Sequence, residues 1–148
     1  MENKIILLVE DNPDDVLLTM RALKKANIAN EVVVAQDGVE ALDYFAGAGV
    51  FADRGAVIMP EVVLLDLKLP RINGLEVLKR LRSDKQTKFL PVVILTSSKE
   101  DRDLIASYES GANSFVSKPV DFNKFSEAVQ QLGLYWLVLN HPAPLKNQ

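Results

Sequence analysis

The chain has 148 residues with a formal charge of −3 and a pI near 5.2, and 48% of it is hydrophobic against 25% charged. That is enough chain for one core of ordinary size, with the composition of a folded globular domain. The acidic balance and the lack of a Lys/Arg-rich stripe argue against nucleic acid and anionic membrane as partners, and with no Cys there is no disulfide framework, thiolate nucleophile or zinc knuckle.

The first residues, Met1-Glu2-Asn3-Lys4, carry no signal pattern, and no apolar run reaches membrane-spanning length, so a cytoplasmic protein is expected. Ile5-Ile6-Leu7-Leu8-Val9 is an unbroken apolar run, the pattern of a strand buried on both faces, and it ends in Glu10-Asp11-Asn12-Pro13. Pro13 suits the first turn of a helix capped by Asn12, with Asp14 and Asp15 favoured by the positive end of the helix dipole. Val16, Met20 and Leu23 repeat at helical spacing and carry that helix to near Asn27. Glu31-Val32-Val33-Val34-Ala35 is a short β-branched strand, followed by Asp37-Gly38 and a helix with Ala41, Leu42 and Phe45 on one side. From Gly47-Ala48-Gly49 to Pro60 the pattern loosens into a surface loop or frayed helix end.

Val62-Val63-Leu64-Leu65, the third strand, runs straight into Asp66 and is stopped by Pro70. The Asn73-Gly74 pair marks a turn before a helix bearing Val77, Leu78 and Leu81. Pro91 to Thr96 is the fourth strand, apolar until the terminal hydroxyl. Two overlapping capping boxes, Ser97 with Glu100 and Ser98 with Asp101, open the next helix, whose apolar side is Leu104, Ile105 and Tyr108 and whose stop is Gly111. A fifth strand, Ser114 to Pro119, ends in Lys118, and a last helix carries Phe122, Phe125, Val129, Leu132 and Trp136 on one face. Past Gly133 that helix is apolar nearly all round, from Leu134 to Leu139. The alternation of strand and helix predicts a single-domain α/β fold, a doubly wound five-stranded parallel sheet with helices on both faces. Its expected extent is residues 1–140, with a short tail over 141–148.

In open parallel sheets the ligand crevice lies at the carboxyl ends of the strands, where this chain puts Glu10, Asp11, Asp66, Thr96 and Lys118. Each has an ordinary reading alone: a turn acid, helix-start acids, a strand-end threonine, a solvated lysine. Together they are a site. Three carboxylates about 5 Å apart repel by roughly 3 kcal/mol per pair at an effective dielectric near 20, and such a cluster wants a cation. The donors are hard oxygens, which fits Mg²⁺ better than zinc or copper. Mg²⁺ invites phosphate, Lys118 and Thr96 suit the oxygens of a transferring phosphoryl group, and a carboxylate can be its nucleophile. Asp66 is the candidate for phosphorylation.

This order of residues, Glu10-Asp11, Asp66 with Leu69-Pro70 and Asn73-Gly74, Thr96-Ser97 and Lys118-Pro119, resembles the receiver domain of two-component response regulators over almost the whole chain. The resemblance implies a flavodoxin-like receiver fold and a phosphoacceptor signalling protein rather than an enzyme, with Asp66 taking its phosphoryl group from a sensor histidine kinase. It implies Mg²⁺ held by Asp11 and Asp66, by Glu10 through water and by the backbone carbonyl of Lys68. It implies Thr96 and Phe115 as a switch pair and a cis Lys118-Pro119 peptide. Lys68 and Ser98 occupy the two positions that tune phosphoryl lifetime in the family, and neither blocks the chemistry. The opening Glu10 to Asp15, the long segment before Pro60 and the Asn140-His141-Pro142 end look more narrowly like the small response regulators partnered with cyanobacterial phytochromes.

Three rivals remain in view. A haloacid-dehalogenase-like phosphatase should carry an aspartate two residues after its nucleophile, where this chain has Lys68. A flavodoxin-like cofactor carrier should have a Ser/Thr/Gly phosphate cradle after its first strand, which here feeds acids. A receiver-shaped scaffold that is never phosphorylated has no need of an intact Asp66 and Lys118. Too little chain follows the last helix for an output domain, so output by contact is expected. The apolar end of that helix suggests a homodimer through the fourth helix, fifth strand and fifth helix, the alternative being that it folds back on its own core.

Overall fold

Five short apolar runs form one parallel sheet in the order β2-β1-β3-β4-β5. The computed structural model describes residues 4–25, 27–97, 100–118, 123, 124 and 127. Its strands are β1 Ile5–Val9, β2 Glu31–Ala35, β3 Val62–Leu65, β4 Val92–Thr96 and β5 Ser114–Ser117. Its helices are α1 Pro13–Lys25, α2 Gly38–Ala46, α3 Gly74–Ser83 and α4 Asp101–Glu109, with a 3₁₀ helix over Gly49–Arg54. The chain leaves β1 for β2 on one side and β3 on the other, so the strand order reverses beside β1. A crevice opens at such a point, at the strands' carboxyl ends.

Every residue of β1, β3 and β4 is buried, as their unbroken apolar sequences require. Alternation along the strands sorts the core into two layers. On one face Ile5, Leu7, Val9, Val63, Leu65, Val92 and Ile94 pack with Ala41 and Tyr44 of α2 and Val77, Leu78 and Leu81 of α3. On the other, Ile6, Leu8, Val62, Leu64, Val93, Leu95 and Val116 pack with Leu23 of α1. Helices therefore cover both faces, and full burial of each such aliphatic side chain contributes about 1.5–3 kcal/mol.

Side chains cap three helix starts, Asn12 as the sequence suggests and Asp37 and Asn73 beyond the turns read there. Asn12 Oδ1 accepts from the Asp14 amide at 2.8 Å, Asp37 from the Glu40 amide at 2.8 Å and Asn73 from the Glu76 amide at 3.0 Å. Helix α1 ends at Lys25, and Asn27 follows in a left-handed conformation with φ 60°. The loosened stretch after Gly47 contains the 3₁₀ helix, anchored by buried Phe51 edge-on to Tyr44. Strand β5 stops at Ser117, one residue before Lys118.

Helix α4 departs from expectation twice. It begins at Asp101 with Glu100 in the cap position and no side-chain cap bond, so the box built on Ser97 does not form; Ser98 lies outside the described residues. Its supposed apolar side, Leu104, Ile105 and Tyr108, is exposed, and the side chain it buries is that of Ser107, whose hydroxyl donates to the Asp103 carbonyl at 2.7 Å. Met20 of α1 is likewise exposed, and α1 buries Thr19, Ala22 and Leu23 instead. Most of the final helix, including Phe122, Phe125, Val129, Leu132 and the apolar stretch from Leu134 to Leu139, the tail after it, and Pro119 with its peptide lie outside the described residues.

Two glycines fix the loop between β3 and α3. A Cβ on Gly74 would stand 2.1 Å from the Asp66 carbonyl oxygen, and one on Gly38 would stand 2.0 Å from the Ile72 carbonyl oxygen. The loop is thus clamped between its own helix and the start of α2. Since the obstacle is backbone, Gly74→Ala is expected to destabilise the protein by about 3 kcal/mol, the upper end of overpacking costs. Urea denaturation checks this, and an unmoved midpoint would show that the Asp66 peptide is free to retreat.

Candidate functional site

Strand register delivers the side chains. Val9 pairs with Leu65 between β1 and β3, so the next residues, Glu10 and Asp66, emerge side by side. Thr96 pairs with Ser117 between β4 and β5, which puts Lys118 one step beyond Thr96. The Asp66 amide donates to the Val9 carbonyl at 3.1 Å and the Lys118 amide to the Thr96 carbonyl at 2.8 Å, so backbone bonds hold these corners past the last paired residues. Glu10, Asp66 and Lys118 continue the alternation of the α1 face.

There they meet. The Lys118 ammonium contacts Glu10 Oε1 and lies 3.0 Å from Asp66 Oδ2 and 3.0 Å from Asp15 Oδ2. The lysine side chain is 8% exposed, Glu10 2% and Asp66 7%, so these are charges removed from water and matched to one another. Glu10 Oε2 also accepts from the Asn12 amide at 3.2 Å, and Asp66 Oδ1 from the Lys68 amide at 3.3 Å. Burial pushes the Glu10 carboxyl up to about 7; the Asp66 charge adds to the rise, while Lys118 and the Asn12 amide oppose it. For Lys118 burial acts to lower the pKa, but bonds to Glu10 and Asp15 and the Asp66 charge outweigh it and hold the ammonium above its ordinary range.

Asp11 is exposed at the mouth. Oxygens of Glu10, Asp11 and Asp66 all lie within 4.8 Å of one another, the one set of three potential metal ligands found among the described residues. Carboxylate oxygens alone, at the edge of a pocket open to water, suit a hard divalent cation that keeps some of its waters. The donor set fits Mg²⁺.

Thr96 and Phe115 belong to the opposite face. Ile94 and Phe115 are register partners, Phe115 packs half-buried against the α2–α3 layer, and fully buried Thr96 stands two residues beyond Ile94 with the same parity. The five residues singled out in sequence therefore divide, with Glu10, Asp66 and Lys118 in direct contact, Asp11 at the rim and Thr96 next to Phe115's side of the sheet.

Asp15 is the residue that sequence reasoning assigned too modestly. Its place in the first turn of α1 does suit the helix dipole, yet its carboxylate also reaches Lys118, 103 residues away in the chain. The signal was its position four residues after Asp11, on the turn that α1 presents to the strand ends.

Residues 6–130 match the response regulator receiver domain model. The bacteriophytochrome response regulator AtBRR is 54% identical with a TM-score of 0.84, the match covering 95% of this chain and all of that one. Response regulator Rcp1 of Synechocystis sp. is 35% identical over 134 residues, 90% of this chain and 89% of Rcp1, and the structure of its Mn²⁺-bound form superposes with a TM-score of 0.73. The phosphorylated cyanobacterial phytochrome response regulator RcpA is also 35% identical, covering 92% of this chain and 95% of that one with a TM-score of 0.73.

Removing the amine leaves the buried Glu10 and Asp66, with Asp15 at the rim, without their counter-charge. Without divalent metal, Lys118→Met is expected to cost about 3 kcal/mol of stability, as for other buried ion pairs deprived of one partner. Added Mg²⁺ should recover more stability in the variant than in the native chain, because ligand binding to the folded state is linked to folding. Denaturant titrations in chelator and in Mg²⁺ give both numbers.

Proposed function

The chain belongs to the family of response regulator receiver domains, and from that premise we propose that Asp66 is its phosphoacceptor and a sensor histidine kinase its donor. The observation that carries this is the Asp66 carboxylate at a buried strand end, 3.0 Å from the Lys118 ammonium and beside two further acids. In the transfer an Asp66 oxygen forms the O–P bond as the P–N bond to the donor imidazole breaks, and the departing nitrogen keeps the electron pair and takes up a proton. Lys118 supplies a fixed positive charge for the phosphoryl oxygens as charge spreads over them. Glu10, Asp11, Asp66 and the Lys68 carbonyl would hold Mg²⁺, which when bound offsets the repulsion between carboxylates and phosphoryl group. The Thr96 hydroxyl then donates to a phosphoryl oxygen, and the Phe115 ring follows it inward on the same side of the sheet.

A phytochrome-type kinase is the inferred donor, since AtBRR and RcpA are both named as response regulators of phytochromes. A dehalogenase-like phosphatase is not favoured, because Lys68 stands where that chemistry needs an acid. The protein acts in the cytoplasm as an acceptor rather than a turnover enzyme, and no helix among the described residues is long and apolar enough to cross a membrane. Its output is contact with another protein, a second copy of itself in the leading case. The exposed Leu104, Ile105 and Tyr108 of α4, beside β5, support a homodimer through α4, β5 and the helix after them.

Incubation with Mg²⁺ and a small phosphodonor such as acetyl phosphate should add one phosphoryl group to the native chain, read as intact mass and lost on treatment with hydroxylamine. Asp66→Asn should gain none. Equal labelling of the two would move the acceptor elsewhere. Light scattering of the phosphorylated sample should report a dimer that Ile105→Glu, on the exposed side of α4, weakens without altering the labelling; a monomer throughout would retire this mode of output.

A further inference from the structure

We propose that Asp15 is a positioning residue, the dock that keeps the Lys118 ammonium at the pocket when Glu10 and Asp66 turn their oxygens to a divalent cation. The inference rests on reading Glu10, Asp11 and Asp66 as a Mg²⁺ site. An ammonium has three N–H donors, and here three carboxylates receive them. Two of those acids, Glu10 and Asp66, belong to the candidate metal set, and Asp15 does not. A dication entering that set competes with the lysine for the same lone pairs and repels it. With only 8% of its side chain exposed, Lys118 has little water to retreat to, so it needs an anion outside the metal set.

Asp15 meets that need. Its side chain is 29% exposed, at the rim rather than the floor of the pocket, and it sits on a helix turn whose geometry is fixed by Pro13 and by Asn12, which accepts the Asp14 and Asp15 amides at 2.8 and 3.4 Å. The Asp15 and Asp66 contacts share one nitrogen and are equally long, so a lysine retained by Asp15 stays within reach of whatever Asp66 comes to carry. Without Asp15 every partner of the amine among these three is a metal ligand, and metal entry must break all its ion pairs at once.

The alternative is that Asp15 assists a cation merely as one more nearby negative charge. Calorimetric titration of the full chain with Mg²⁺ alone separates the two, using the native protein, Asp15→Asn, Lys118→Met and the double variant. If Asp15 acts through the lysine, Asp15→Asn weakens Mg²⁺ binding about tenfold when Lys118 is present and less than about twofold when it is Met, a coupling in the range of contacting residues. Asp15→Glu, which keeps the acid on a longer arm, should recover part of the loss only in the presence of Lys118. Equal weakening in both backgrounds, or none in either, overturns the proposal alone. A native chain that takes up no Mg²⁺ overturns the metal reading and the proposal with it.

Discussion

One ammonium among carboxylates is the constraint on which this pocket depends. The sheet brings Glu10 and Asp66 out side by side because β1 and β3 are paired in register, and α1 adds Asp15 from above. Left alone, acids this close repel by several kcal/mol at a protein-like dielectric. Lys118 makes the arrangement tenable, and it can do so only because β5 lies at the far end of the same parallel edge. The order β2-β1-β3-β4-β5 is therefore part of the chemistry: a sheet with β5 elsewhere would leave the acids without their counter-charge.

The pleat divides labour between the faces. Residues with the parity of Ile6 and Leu8 lead to the charged cluster, and those with the parity of Ile94 lead to Thr96 and Phe115. Asp66 thus meets its ionic partners on the α1 side, whereas Thr96 and Phe115, the switch pair of the proposed reading, lie on the other. Thr96 bridges the two because its backbone carbonyl holds the Lys118 amide at 2.8 Å while its side chain shares the parity of the Phe115 face. A displacement of either strand end moves both sets of groups.

The fold and most of this site were legible because they rest on local regularities. Unbroken apolar runs ending in acids declare buried strands and the edge they point to, and Asn12 caps its helix through a bond to a neighbour two residues on. What the sequence concealed depends on chain brought from far away. Asp15 reads as a helix-start acid until Lys118 is placed beside it. Arg82, in the last turn of α3, looks like a solvated cation. Yet its Nε donates to the Gly111 carbonyl at 2.9 Å, its Nη1 to the Leu90 carbonyl at 2.7 Å and its Nη2 to Asn113 Oδ1 at 3.0 Å, and burial lowers its pKa. Helix α4 misled for the opposite reason. Its apolar spacing is regular, but periodicity says only that apolar residues share a side, and the structure turns that side outward.

These hidden contacts also determine which parts of the molecule can yield. The start of β4 is bound by Arg82 and by Asn113, whose Oδ1 also accepts the Val92 amide at 2.8 Å, and the loop after Asp66 is closed in by backbone against Gly38 and Gly74. Both segments are thus tied to chain from other elements. Helix α4 has no side-chain cap bond at its start, buries none of its described apolar side chains and meets the sheet through β5. Local opening costs least where little apolar surface is buried, and no described apolar side chain of α4 is buried. Under the proposed reading, a change begun at Asp66 would pass along β5, which carries Phe115 and leads to Lys118, toward the neighbouring α4. Such a change would be displayed, under that reading, at the exposed Ile105 and Tyr108.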